Sequence, residues 1–129
     1  MFQLSHDAYH AIHAVIRIAQ ADHCTSPNLA ENLGVAERDL TPVLRSLVQG
    51  GILRVEPRGY VLGCPTEEVT VLDIIEVVEG PMRADIEATE TGDDDVDEAL
   101  KEACDLAVQG CSRVLAATSI ARLISKTVL

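Results

Sequence analysis

Four interruptions in the first half of the chain constrain its fold more than any other feature: Ser26-Pro27, Gly34, Gly50-Gly51 and the run Glu56-Pro57-Arg58-Gly59. Ser26-Pro27 starts a helix, with a capping hydroxyl and a proline whose missing N–H costs nothing in the first turn. Leu29, Ala30 and Leu33 give that short helix its apolar face. Gly34 ends it, because glycine takes the left-handed cap without strain. After one tight turn, Leu40, Val43, Leu44 and Leu47 mark another helix, which Gly50-Gly51 stops. Upstream, Ala8, Ala11, Ile12, Val15, Ile16 and Ile18 recur at helical spacing over 5–21, with Ser5 as the cap. Residues 52–55 and 60–62 are predicted strands, joined by a turn of hairpin length at 56–59. This order of elements is that of a winged helix-turn-helix.

The second half reads differently. Thr70 caps a helix at 71–79, ended by Gly80-Pro81. Residues 82–97 are polar and acidic and read as a solvated loop. Within it, Asp93-Asp94-Asp95 lacks the spaced oxygens and terminal Glu of a calcium loop and reads as a turn. A long helix then runs from about 98 to 117. Leu100, Ala103/Cys104, Ala107, Cys111, Val114/Leu115 and Thr118 alternate spacings of three and four along it, a seam of small residues. A short chain has little to cover such a seam, so the helix is expected to pair with its copy in a homodimer. Residues 119–125 add a last amphipathic turn or two. The fold class is mainly α, with a two-stranded wing and a long C-terminal dimerisation helix.

Charge separates the two halves. Residues 1–66 carry Arg17, Arg38, Arg45, Arg54 and Arg58 against Asp7, Asp22, Glu31, Glu37, Asp39 and Glu56, so nearly all of the net −11 lies beyond residue 66. Such polarity implies that the halves face different things. Aromatic residues make up 2% of the chain, which argues against base-stacking platforms for single-stranded nucleic acid. No apolar run is long enough to span a membrane and no export signal is visible, so a cytoplasmic location is expected. No nucleophile–base pair, phosphate-cradling loop or catalytic carboxylate pair is present, which argues against an enzyme.

The candidate DNA contacts follow from the helix-turn-helix. Arg38, Thr41 and Arg45 lie on the third helix, where side chains reach major-groove edges and arginine pairs with guanine. Arg58 at the wing tip can meet a phosphate or a narrow minor groove. Ser26 and Tyr60 complete the set. Cys64, Cys104 and Cys111 are candidate redox thiols, although Cys104 and Cys111 read first as small apolar fillers of the long-helix seam. His6, His10 and His13 have the spacing with which a helix offers two imidazoles to one metal ion; a polar helix stripe is the simpler reading.

The order of motifs resembles the Rrf-two family of winged helix-turn-helix transcriptional regulators over nearly the whole chain. Leu4-Ser5 with Ala11-Ile12, Leu29-Ala30-Glu31, Leu33-Gly34-Val35, Val43-Leu44-Arg45 and Gly59-Tyr60-Val61-Leu62 carry the match. The stretch Glu68-Val69-Thr70-Val71-Leu72-Asp73-Ile74-Ile75-Glu76-Val77-Val78-Glu79-Gly80 is its most specific part, and Val114-Leu115 with Thr118 to Ile124 completes it. The resemblance implies a homodimeric repressor on a palindromic operator of double-stranded DNA, with redox or metal responsiveness open. It also implies a division into 1–66 (DNA-binding region), 67–80 (connecting helix), 81–97 (acidic loop at the sensor position) and 98–129 (dimerisation and C-terminal helices).

Four departures stand out. Family members that hold an iron–sulfur cluster place three cysteines in the loop after the signature glycine, and 81–97 has none. Tyr9 stands where the family has an N-terminal acidic ligand. The wing is shortened, and Ala36-Glu37-Arg38-Asp39 puts two acids where phosphates should approach. No three-cysteine cluster is therefore expected, and no cofactor, with a non-cluster metal at His6/His10/His13 the lesser option. The alternative function is a relative that has lost DNA binding and serves as a protein-interaction or metal-binding module.

Overall fold

The computed structural model describes residues 2–84 and 94–127. Among these, the elements run α1 (His6–Ala21), α2 (Ser26–Leu33), α3 (Glu37–Gln49), β1 (Leu53–Glu56), β2 (Gly59–Leu62), α4 (Val71–Glu79), α5 (Asp94–Ala116) and α6 (Ile120–Thr127). The mainly α winged-helix architecture is the one the sequence predicts.

Local chemistry sets most of the boundaries. The Ser5 hydroxyl accepts from the Ala8 N–H and caps α1. Gly34 takes φ +71° after α2, and its N–H bonds the Ala30 and Glu31 carbonyls. Thr70 and Asp73 form a reciprocal capping box at α4: the Thr70 hydroxyl accepts from the Asp73 N–H, and the Asp73 carboxylate from the Thr70 N–H.

Two start sites differ from the sequence reading. The residue that caps α2 is Thr25, whose hydroxyl accepts from the Asn28 N–H; Ser26 is already the first helical residue. Pro27 then falls in the first turn, as expected. At α5 the helix begins at Asp94, so 94–97 belong to its first turn and not to the acidic loop. Asp94, Asp95 and Asp97 meet the positive end of the helix dipole there, which favours helix over solvated turn. Asp93 and the rest of the predicted loop at 85–92 lie outside the described residues.

The hairpin pairs Leu53 with Leu62 and Glu56 with Gly59, one residue further toward the turn than predicted on each side, leaving a two-residue loop. Leu53 is buried and the rest of β1 is exposed. The core is built from α1, α2, α3, the start of β1 and α4, with no buried polar or charged side chain among the described residues. Ala8, Ala11, Ala14 and Val15 of α1 are fully buried, and α1 packs against both α3 and α4. Small residues on that face let the helices approach closely, which suits a core almost without aromatics.

After α5 the chain returns to this core. The Val71 N–H donates to the Thr118 carbonyl and the Ile120 N–H to the Val69 carbonyl, and Ile120 is fully buried. α5 itself has no buried residue. It packs against the nine-residue α4, which spans only about 13 Å of its roughly 34 Å length. The predicted seam is consequently divided. Cys104, Cys111 and Leu115 turn partly inward, while Leu100 (52% exposed), Ala103, Ala107 and Val114 (67% exposed) face solvent.

Candidate nucleic-acid interface

α3 separates its two faces cleanly. Leu40, Val43, Leu44 and Leu47 are buried against the core, so Arg38, Pro42, Arg45 and Gln49 form the opposite, exposed stripe. Arg38 and Arg45 stand two turns apart on it, about 10 Å along the axis. Neither they nor Arg58 form an ion pair among the described residues.

Pro42 lies beyond the first turn of α3, yet the helix continues to Gln49. The missing N–H cannot reach the Arg38 carbonyl. Hydroxyl groups bond the backbone on either side: Thr41 Oγ1 donates to the Glu37 carbonyl at 2.9 Å, and Ser46 Oγ to the Pro42 carbonyl at 3.1 Å. The hydroxyl hydrogen of the half-buried Thr41 is thus used locally.

Two of the acids on this surface are already engaged. Ser26 Oγ donates to Glu37 Oε1 at 2.8 Å, joining the first residues of α2 and α3. On β1, Arg54 Nη2 lies 3.4 Å from Glu56 Oε1. Arg54 was missed among the candidate residues; strand alternation, which puts residues 54 and 56 on one face, is the signal that could have found it.

Arg58 occupies the exposed two-residue loop of the hairpin. Tyr60 is placed differently from a free wing contact. Its backbone exchanges hydrogen bonds with Cys24, and its half-buried side chain packs on the core. Gly59 makes this possible: at φ +132°, a Cβ there would sit 2.5 Å from the Cys24 carbonyl oxygen.

A family model described as "Iron-dependent Transcriptional regulator", that of Rrf2, matches residues 4–126. The chain belongs to the Rrf2 family. Among solved structures, CymR, the global cysteine regulator of B. subtilis, is 24% identical with a TM-score of 0.78, covering 99% of this chain and 100% of that one. T. potens IscR is 21% identical with a TM-score of 0.74, covering 98% and 89%. Staphylococcus aureus CymR is 22% identical with a TM-score of 0.70, covering 97% and 100%. No curated protein matches the chain significantly. As an Rrf2 member it is a transcriptional regulator with a winged-helix DNA-binding fold, in a family of regulators and not of enzymes. No described helix is long and apolar enough to cross a membrane.

In this Rrf2 protein the thiols lie in separate places. Cys24 is buried after α1, its Sγ 3.9 Å from the Arg17 carbonyl. Burial pushes its thiol up, opposed by the Arg17 guanidinium. Cys64 lies behind the hairpin, 3.9 Å from the Gly51 carbonyl. Burial raises its thiol as well, and the carboxylates of Glu68 and then Asp73 push in the same direction. That is opposite to what a reactive thiol needs. Cys104 and Cys111 line a groove of about 1000 Å³ between α5, the end of α4 and the N-terminal segment, together with Phe2, Leu4 and Met82. Ser112 Oγ donates to Met82 Sδ at 3.7 Å across it.

The histidine stripe of α1 is partly filled by Tyr9. Its ring centre lies 4.4 Å from that of His13 and 5.7 Å from that of His10, while His6 and His10 are 6.4 Å apart. Among the described residues no three His, Cys, Asp or Glu side chains converge on one point.

Proposed function

We propose that this Rrf2 regulator acts as a homodimeric repressor on a palindromic operator of double-stranded DNA. The observation that carries the reading is the exposed apolar edge of α5, formed by Leu100, Ala103 and Val114 beside the groove that Ala107 helps to line, which the protomer's own core leaves uncovered. A second copy, seated antiparallel or parallel on that edge, would bury it and bring two α3 stripes into one assembly. Two-fold symmetry would then require inverted half-sites, spaced by about 34 Å or a multiple of it.

Arg38 and Arg45 would face the major groove and Arg58 a phosphate or the minor groove. Tyr60 would anchor the wing through its backbone. The acids of this face weigh against tight non-specific binding, and the pairing of Glu56 with Arg54 offsets one of them. Binding to duplex over a salt series tests the reading: affinity should fall steeply as salt rises. No binding even at low salt would favour instead a relative that serves as a protein-interaction or metal-binding module.

The family description carries iron dependence, and the cysteines of this chain do not fit a three-cysteine cluster. Such a cluster needs thiolates converging on one point. Cys24 and Cys64 lie apart from the groove, and Cys104 and Cys111 are two turns apart on one rigid helix. Residues 81–97 contain no cysteine. We therefore propose that the protein carries no cluster of that kind, and that any signal enters at the groove beside α5. Iron and sulfide content after anaerobic purification decides this, stoichiometric amounts of both overturning it.

A further inference from the structure

Glu37 is the residue that a simple phosphate-contact account leaves unexplained. A carboxylate on the first residue of a recognition helix repels the DNA backbone, yet here it is held in place. Thr25 caps α2, so the Ser26 hydroxyl is not consumed by the helix start and donates instead to Glu37 Oε1 at 2.8 Å. The bond crosses from the first residue of α2 to the first residue of α3, next to Arg38. It restricts the rotamers of an otherwise exposed glutamate and gives its carboxylate a defined position at the end of the helix that enters the groove.

An ionised carboxylate only accepts hydrogen bonds. In the major groove guanine offers acceptors at N7 and O6 and thymine an acceptor at O4, all repulsive to it. Cytosine offers the N4 donor, and adenine an N6 donor beside the N7 acceptor. Cytosine is therefore the base such a group pairs with best. We propose that Glu37, positioned by Ser26, is a specificity-determining residue that selects a cytosine in each half-site by accepting from its N4–H. Ser26 on this account is a positioning residue acting through Glu37, and not a phosphate contact. The inference rests on the DNA-binding reading above.

Selection from a random duplex library tests it, with the intact protein and the variants Glu37→Ala, Glu37→Gln and Ser26→Ala, followed by titration of the selected site at several salt concentrations. The unaltered protein should enrich a cytosine at one fixed position, with discrimination of about tenfold or more against the other bases. Glu37→Ala should abolish that preference while tightening binding to random duplex, because a charge facing phosphates is gone. Glu37→Gln brings an N–H donor and should admit guanine or thymine at the same position. Ser26→Ala should blunt the cytosine preference with the salt slope unchanged, a split that loss of a phosphate contact would not produce. If all four proteins enrich the same base there, the inference is overturned while the DNA-binding reading stands. If the unaltered protein binds no duplex at low salt, both are removed.

Discussion

Cys24 and Tyr60 exchange two backbone hydrogen bonds, 3.1 Å from the Cys24 N–H and 2.7 Å from the Tyr60 N–H, which make the segment after α1 a minimal third strand of the wing. The pair couples the hairpin carrying Arg58 to the helical core, so the wing tip is aimed by the body of the protein and not by its own two short strands. A two-stranded hairpin alone is marginal in water.

Gly59→Ala should break this coupling. The substituted Cβ would meet the Cys24 carbonyl oxygen at 2.5 Å, in a backbone conformation that side chains rarely adopt. A loss of roughly 1–3 kcal/mol is expected in thermal or denaturant unfolding. Faster exchange of the Cys24 and Tyr60 amide protons should accompany it. Unchanged stability and protection would show that the wing does not depend on this approach.

Val114→Glu should dissociate the homodimer without unfolding the protomer, because Val114 is 67% exposed in the single chain. Sedimentation should then give a particle near 13.9 kDa, where the unaltered protein gives twice that mass. Burying an unpaired charge in the interface costs several kcal/mol. An unaltered protein that sediments as a monomer at micromolar concentration would end the proposal.

Arg38→Ala and Arg58→Ala should weaken DNA binding in different ways. Arg38 lies on the exposed stripe of α3, so its loss should relax base preference at one position. Arg58 lies at the hairpin tip, so its loss should weaken all sequences alike and lower the salt slope by about one. Selected-site and random-duplex titrations separate the two effects, and if both variants bind like the parent the DNA face has been misplaced.

Cys64 should alkylate more slowly than an unstructured cysteine at neutral pH, since burial, Glu68 and Asp73 all hold its thiol protonated. Glu68→Gln removes one repelling charge and should speed the reaction. The raised thiol also contributes stability that is present below the ordinary thiol range and is lost as pH rises through and above it. Rapid labelling of Cys64 at neutral pH, unaffected by Glu68→Gln, would contradict the electrostatic account.

Most helix starts and stops were legible because each depends on neighbours in the chain, the cap of α2 and the start of α5 excepted. Ser5 with Ala8, Thr70 with Asp73 and Gly34 with Ala30 all act within about one turn, so local chemistry alone decided the element order and the winged helix-turn-helix it spells. The exposed positions of Arg38, Arg45 and Arg58 followed for the same reason, since a helix or hairpin with a marked apolar face has a determined opposite face. Tertiary structure alone decided what depends on partners far along the chain. Ser26 and Glu37 are eleven residues apart, and only the angle between α2 and α3 brings hydroxyl and carboxylate to hydrogen-bond distance. Cys24 meets Tyr60 across thirty-six residues, which gives Tyr60 a backbone role as wing anchor that its place in the hairpin did not announce. The seam of α5 was visible as a period but not as a direction. Its apolar stripe is longer than α4 can cover, so the placement of α4 settled that Cys104, Ala107 and Cys111 line the groove while Leu100, Ala103 and Val114 stay exposed beside it.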